Sequence, residues 1–367
     1  MKSIAIFYAS EGTGHRSAAE ALRDQYVKDN PNGNVLCKDI LEYAPTIFRK
    51  MISHSYVLMA HHAPWLWGLF YWSSDKPSFA SSCFDKIHEF LCKKYLPRAE
   101  KELRKHSVEA VFFTHYFGAA PLARRNINNF PVFYINTDFI CHRFQINSIF
   151  KTSFVASPIA VKQHWDRQIK AVIDTGIPVP PKYLSLLSKS DARKKLNFKL
   201  TDKIVLVSGG GIGGGSVLNV TKSLSEHTNI KIAVVCGNNK ALYNKLRRLF
   251  MTYSNVYLEK FIPNMEDYYA AADVGIMKPG GLSLSEALAA KLPVLLMDPI
   301  PGQEQLNMDY LYQAGAIQKL KNSKNSYEEV SRFLYEKDSL DKMLTRMERI
   351  SRPGAAKEIL EIAKRQL

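Results

Sequence analysis

At 367 residues the chain is longer than one small domain, and about two domains are expected. Hydrophobic residues make up 46% and charged residues 23%, an ordinary globular balance that excludes a disordered or fibrous chain. The formal net charge of +16 implies an anionic partner: nucleic acid, an anionic membrane or a phosphorylated ligand. Residues 101–200 alone hold a surplus of roughly ten positive charges, with clusters at Arg124-Arg125 and Arg193-Lys194-Lys195. Five cysteines, Cys37, Cys83, Cys92, Cys141 and Cys236, lack C-x-x-C spacing and read as reduced thiols, not a disulfide frame or a zinc site. The first apolar run is too short for a signal peptide, and no apolar run reaches the ~18 residues of a bilayer span. The expected location is the cytoplasm or the cytoplasmic face of a membrane.

Apolar runs of strand length alternate with helical patterns along the chain. Candidate strands are Ile4–Ala9, Val35–Ile40, Ala110–Thr114, Val132–Thr137, Ser153–Ala156 and Ala171–Asp174, followed by Ile204–Ser208, Ile232–Cys236, Val256–Phe261, Val274–Met277 and Val294–Met297. Continuous Val, Ile, Leu and Phe runs suit parallel strands covered on both faces, so an α/β, doubly wound architecture is expected. Three prolines in the stretch Thr175 to Leu184 suit neither a helix interior nor a central strand, and mark a hinge. The expected domains are 1–175 and 176–340, with a helical segment 341–367 broken at Arg352-Pro353-Gly354.

The first strand leads into S-E-G-T-G-H-R-S-A-A, where Gly12 and Gly14 precede His15 at a strand-to-helix turn. Glycine lets the backbone approach a ligand, and the free N–H groups of a helix start favour negative charge. A tight turn with a surface histidine explains the same residues. The third glycine of a dinucleotide fingerprint and the Lys-Ser/Thr of a Walker loop are absent. Between Pro45 and Asp75 lie Trp65, Trp67, Trp72, Phe70 and Tyr71 beside Arg49 and Lys50. They form either a buried helical hairpin or an interfacial surface, since Trp and Tyr favour the membrane boundary and basic residues favour anionic lipid.

The second half opens with a strand and S-G-G-G-I-G-G-G-S, Ser208 to Ser216. Six glycines there make a flexible loop or a phosphate cradle at a helix start. Further on, Pro279-Gly280-Gly281 turns the chain after a strand. Ser283 and Ser285 can cap the next helix, and Glu286 either completes a capping box or accepts two hydrogen bonds from a ribose diol. Pro301-Gly302 then leads into Gln303, Glu304 and Asn307, polar groups suited to sugar hydroxyls.

Together, G-x-G-H-x-x-A-A, T-H-Y-F-G-A-A-P-L-A (Thr114–Ala123), N-T-D-F-I-C-H-R-F (Asn136–Phe144), K-P-G-G-L-S-L-S-E-A-L and P-G-Q-E-Q-L-N resemble the monogalactosyldiacylglycerol synthase and processive diacylglycerol glucosyltransferase family. That family is related to the peptidoglycan N-acetylglucosaminyl transferase acting on lipid I. The resemblance covers nearly the whole chain. It implies a GT-B fold, with two Rossmann-like domains across a cleft and the C-terminal helix returning to the first. It also implies inverting, metal-independent transfer of a hexose from a UDP-sugar to a diacylglycerol hydroxyl at an anionic membrane, with no cofactor. On this resemblance His15 is the base and Asp138 the next catalytic candidate, with Gly12 and Gly14 clearing space for the diphosphate of the UDP-sugar and for the acceptor. Glu286 would hold the ribose, with Gly280, Gly281, Leu282 and Ser283 in the same turn. Gly209, Gly210 and Gly211 would line the phosphates, Phe261 and Ile262 the uracil, and Gln303, Glu304 and Asn307 the hexose and diphosphate. Trp65, Trp67 and His142 would serve the acceptor and membrane side.

Three alternatives compete. One is a UDP-sugar transferase for another lipid or isoprenoid-linked acceptor. A second is a UDP-GlcNAc 2-epimerase, which needs further acidic catalytic residues that have no place here. The third is a basic nucleic-acid-binding protein. No stacking-aromatic motif or recognition helix supports that reading, so no nucleic-acid partner is expected.

Overall fold

The strands fall into two parallel sheets. In the first, β1 (Ser3–Tyr8), β2 (Asn34–Asp39), β3 (Ala110–Phe113), β4 (Val132–Ile135), β5 (Thr152–Val155) and β6 (Val172–Asp174) run in the order β2-β1-β3-β4-β5-β6. In the second, β7 (Ile204–Ser208), β8 (Lys231–Val235), β9 (Val256–Glu259), β10 (Val274–Met277), β11 (Val294–Leu296) and β12 (Gln318–Lys319) run in the order β12-β11-β10-β7-β8-β9. The computed structural model describes residues 1–9, 13–46, 49, 63–75, 79–211 and 213–367, the side chains of 79–85 and 337–339 excepted. The chain divides into two units. The first is Met1–Pro181 with Ile300–Gln303 and Pro353–Leu367, and the second is Lys182–Pro299 with Glu304–Arg352.

The inner strands β1, β3, β4 and β5 of the first sheet are buried on both faces, which is why they read as nearly unbroken apolar runs. The pleat sends Ala5 and Phe7 of β1 to one side, where they meet Leu96, Phe113, Tyr134 and Phe150. Ile4 and Ile6 point to the other side, against Leu22 and Tyr26 of the helix Thr13–Asp29 and Ile359, Leu360 and Ala363 of the final helix Ala355–Arg365. The chain therefore ends by completing the core of the unit in which it began. In the second unit Val205, Val207, Val234 and Ile276 pack with Val217, Leu224 and Leu246.

Among the described residues eleven strands lie where apolar runs predict them, with ends moved by at most two residues. The twelfth, Gln318–Lys319, is a two-residue edge strand without an apolar run. The break at Arg352-Pro353-Gly354 separates the helices Lys337–Ile350 and Ala355–Arg365.

Candidate active site

Strand order reverses at one point in each sheet. The chain leaves β1 for β2 on one side, while β3 lies on the other, so the loops after β1 and β3 diverge. Open α/β sheets hold ligands in such a crevice, at the carboxyl ends of the strands. Gly12 lies outside the described residues. Gly14 and His15 follow in the first turn of the helix Thr13–Asp29. His15 reaches across the crevice: its Nδ1 is 2.8 Å from the carbonyl oxygen of Thr114 and 2.8 Å from Thr137 Oγ1. A carbonyl only accepts, so Nδ1 carries the hydrogen and Nε2 of the neutral ring keeps the lone pair. The Thr114 hydroxyl in turn donates to the His15 carbonyl at 2.8 Å.

His15 lines a cavity of about 100 Å³ with Trp67, His115, Tyr116, Asp138 and Gln303 among its walls. His115, which sequence reasoning did not select, stands edge-on to His15 with ring centroids 4.6 Å apart. Its Nδ1 accepts the Phe117 N–H at 3.1 Å, leaving the hydrogen on Nε2. The two histidines thus hold opposite tautomers in one crevice, one with an accepting Nε2 and one with a donating Nε2. Asp138 is at the cavity wall, its carbonyl held by Asn136 Nδ2 at 3.0 Å.

His142 is buried and acts as a fastener. Its Nδ1 accepts from the Phe144 N–H at 3.3 Å, and its Nε2 faces the Tyr71 carbonyl at 3.3 Å. Burial holds its pKa below the usual histidine value, against the pull of Asp75. It therefore joins the helix Pro64–Asp75 to the loop between β4 and β5. On that helix Trp65 and Trp72 are exposed, with Leu66, Leu69 and Phe70. Trp67, expected on the outer surface beside Trp65, is instead half-buried at the cavity. Its indole N–H donates to Gln303 Oε1 at 3.3 Å, because the helical period turns residue 67 away from the face of 65 and 72.

In the second unit the reversal falls between β7 and β10, bringing the glycine loop beside K-P-G-G. Gly210, Gly213 and Gly215 have φ of +70°, +67° and +78°. A Cβ on Gly213 would run into the Cys236 carbonyl, whereas one on Gly210 would meet nothing within 4 Å. Gly213 is therefore required by packing, and Gly210 leaves open space above the strand end. The helix Val217–Ser225 starts here, and the Ser216 hydroxyl donates to the Asp298 carboxylate. Phe261, after β9, is 59% exposed, with Ile262 half-buried beside it.

The helix after β10 is Gly281–Ala289, with Gly280 at its N-cap and no side-chain cap. Ser283 and Ser285 lie inside the helix and do not cap it, because the helix already begins at Gly281. Glu286 is therefore too far along to form a capping box. It is half-buried, and Tyr269 Oη donates a long 3.5 Å bond to its Oε2. Burial pushes its carboxyl up to about 7, with Glu266 adding to the rise and Lys182 opposing it. Asn307 is fully buried, its amide donating to the Pro279 carbonyl at 3.2 Å and holding the turn. Glu304 forms an ion pair with Lys278, Nζ to Oε1 3.0 Å, each side chain 12% exposed. Nothing local in K-P-G-G marks Lys278 as paired, because its partner lies 26 positions away in sequence.

Residues 15–179 match the family Monogalactosyldiacylglycerol (MGDG) synthase, and residues 188–351 match Glycosyl transferases group 1. A processive diacylglycerol beta-glucosyltransferase of Bacillus pumilus (strain SAFR-032) is 27% identical over 369 residues, covering 98% of this chain and 94% of that protein. Among solved structures, MurG of Acinetobacter baumannii has a TM-score of 0.58 at 15% identity, and UDP-GlcNAc 2-epimerase of Neisseria meningitidis, bound to UDP-GlcNAc, has 0.64 at 13%. Both alignments cover 100% of both chains, and at this identity they establish a shared fold, GT-B.

The raised carboxyl of Glu286 sets a pH dependence. Its folded pKa of about 7 exceeds the ordinary 4.5, so its contribution to stability is full below 4.5 and is lost as pH rises through 7. Glu286→Gln removes that titration. Its melting temperature relative to the native chain is expected to rise between pH 5 and pH 8, and a constant difference over that range would contradict the assignment.

Proposed function

We propose that the chain, whose residues 15–179 match MGDG synthase and residues 188–351 match the group 1 glycosyl transferases, is a glycosyltransferase that moves a hexose from a UDP-sugar to diacylglycerol. The observation carrying this reading is the pair of reversal points, each furnished for one half of the reaction. The first offers an oriented lone-pair nitrogen on His15, beside a cavity for a hydroxyl. The second offers an open glycine turn, a helix start, a half-buried carboxylate and a flat exposed aromatic. Those are the groups a uridine diphosphate requires: N–H donors for phosphate, an acceptor for the ribose diol, and a platform for the base. The diacylglycerol relative at 27% identity and the neighbour bound to UDP-GlcNAc support the two substrate classes.

In the proposed reaction the acceptor hydroxyl oxygen attacks C1 of the hexose from the face opposite the UDP. Its proton passes to Nε2 of His15. The C1–O bond to the β-phosphate breaks, its electron pair stays on UDP, and the configuration at C1 inverts. Thr114 and Thr137 hold the imidazole in the tautomer that can accept that proton. Backbone N–H groups of the glycine loop take the developing charge, without a resident metal.

The acceptor is a lipid, and the helix Pro64–Asp75 offers a way to reach it. Trp65, Leu66, Leu69, Phe70 and Trp72 are exposed within two and a half turns. Among the described residues no helix is long and apolar enough to cross a membrane. That apolar surface and the +16 charge support a peripheral seat on an anionic, cytoplasmic membrane face.

Mass analysis of diacylglycerol vesicles incubated with individual UDP-hexoses is expected to show products heavier by one or more hexose units. In His15→Ala the rate should fall about a hundred- to ten-thousandfold while UDP affinity stays within a few fold. Near-native turnover in a folded variant would remove the base. Sedimentation with anionic vesicles is expected to exceed that with neutral ones and to fall in Trp65→Ser/Trp72→Ser; equal sedimentation of both proteins with both vesicles would contradict the membrane seat.

A further inference from the structure

We infer that Lys278 is the cation that receives the departing diphosphate and that Glu304 poises it; the inference rests on the reading of the second unit as a UDP-hexose site. Lys278 follows β10 directly, at the reversal point beside β7, which ends in the glycine loop. Its stem lies across that loop: a Cβ on Gly215 would stand 3.1 Å from Lys278 Cγ and 3.3 Å from Cδ. Gly215 at φ +78° thus serves two needs, the backbone turn and room for the lysine.

The ammonium is largely withdrawn from water, and its recorded partner is Glu304 at 3.0 Å. A withdrawn charge needs a counterion, and removing one member of such a pair leaves the other uncompensated. Glu304 supplies compensation before the diphosphate arrives. It opens the helix Gln303–Gln313 from its second position, where a carboxylate is also favoured by the free N–H groups. When the diphosphate binds, its oxygens join Glu304 around the ammonium, and the carboxylate's second oxygen can accept from hexose hydroxyls. As C1–O cleaves, the electron pair and its negative charge stay on the β-phosphate, so attraction to a fixed cation is larger in the transition state than before it. Glycine N–H dipoles alone would meet that charge with partial charges; Lys278 meets it with a full one.

Calorimetry of the whole chain with UDP and with uridine tests this without an acceptor. Lys278→Met is expected to weaken UDP about ten- to a hundredfold while uridine, which lacks phosphate, stays within about twofold. Lys278→Arg should recover most of the UDP affinity. Glu304→Gln, which keeps the cation and frees it, should bind UDP at least as tightly as the native chain while UDP-glucose loses its margin over UDP. Unchanged UDP affinity in Lys278→Met overturns the inference, and equal loss of UDP and uridine overturns it too, marking Lys278 as a packing residue. A native chain that binds neither ligand removes the donor reading itself, and this inference with it.

Discussion

The reversal of strand order in each sheet is the constraint on which the chemistry depends. Every connection between parallel strands needs a covering crossover, and where successive crossovers part to opposite sides the strand ends between them are left uncovered. The first unit fills this gap with His15, Thr114 and His115; the second fills it with glycine and Lys278. The same backbone geometry thus carries an oriented imidazole in one place and a bare, open turn in the other. Side-chain bulk makes the difference. The paired threonine contacts fix a ring, whereas the positive-φ glycines keep a turn bare.

Much of this was legible because burial on both faces leaves a strong mark. Runs such as Ile-Ala-Ile-Phe and Ile-Val-Leu-Val cannot be surface strands, and they located β1 and β7. What escaped was set by contacts distant in sequence. The tautomer of His15 depends on Thr114, 99 positions away. The Lys278–Glu304 pair and the Trp67–Gln303 bond likewise join segments with no local pattern in common. Glycine was ambiguous for a physical reason: Gly210 and Gly213 share a positive φ, yet only at Gly213 does the neighbouring backbone forbid a side chain. Serine misled similarly. Ser283 has cap chemistry, but the helix begins two residues before it, with Gly280 at the N-cap.

The charged groups of the second unit show how burial turns common residues into specialised ones. Glu286 is raised by burial until it titrates near neutrality, which keeps it poised between a donor and an acceptor of hydrogen bonds. Glu304, only eighteen positions on, is held beside an ammonium. Two glutamates in neighbouring motifs are therefore held in opposite electrostatic surroundings.

Hydrogen–deuterium exchange of the whole chain, recorded with and without UDP, tests the central claim that the donor occupies the reversal point of the second sheet. The account predicts slowed exchange in the loop Ser208–Ser216, the turn and helix start at 278–286, and the segment 303–307, with the distant amino-terminal ends of β7 and β10 unchanged. Protection confined to those amino-terminal ends, or to the first unit, would contradict it.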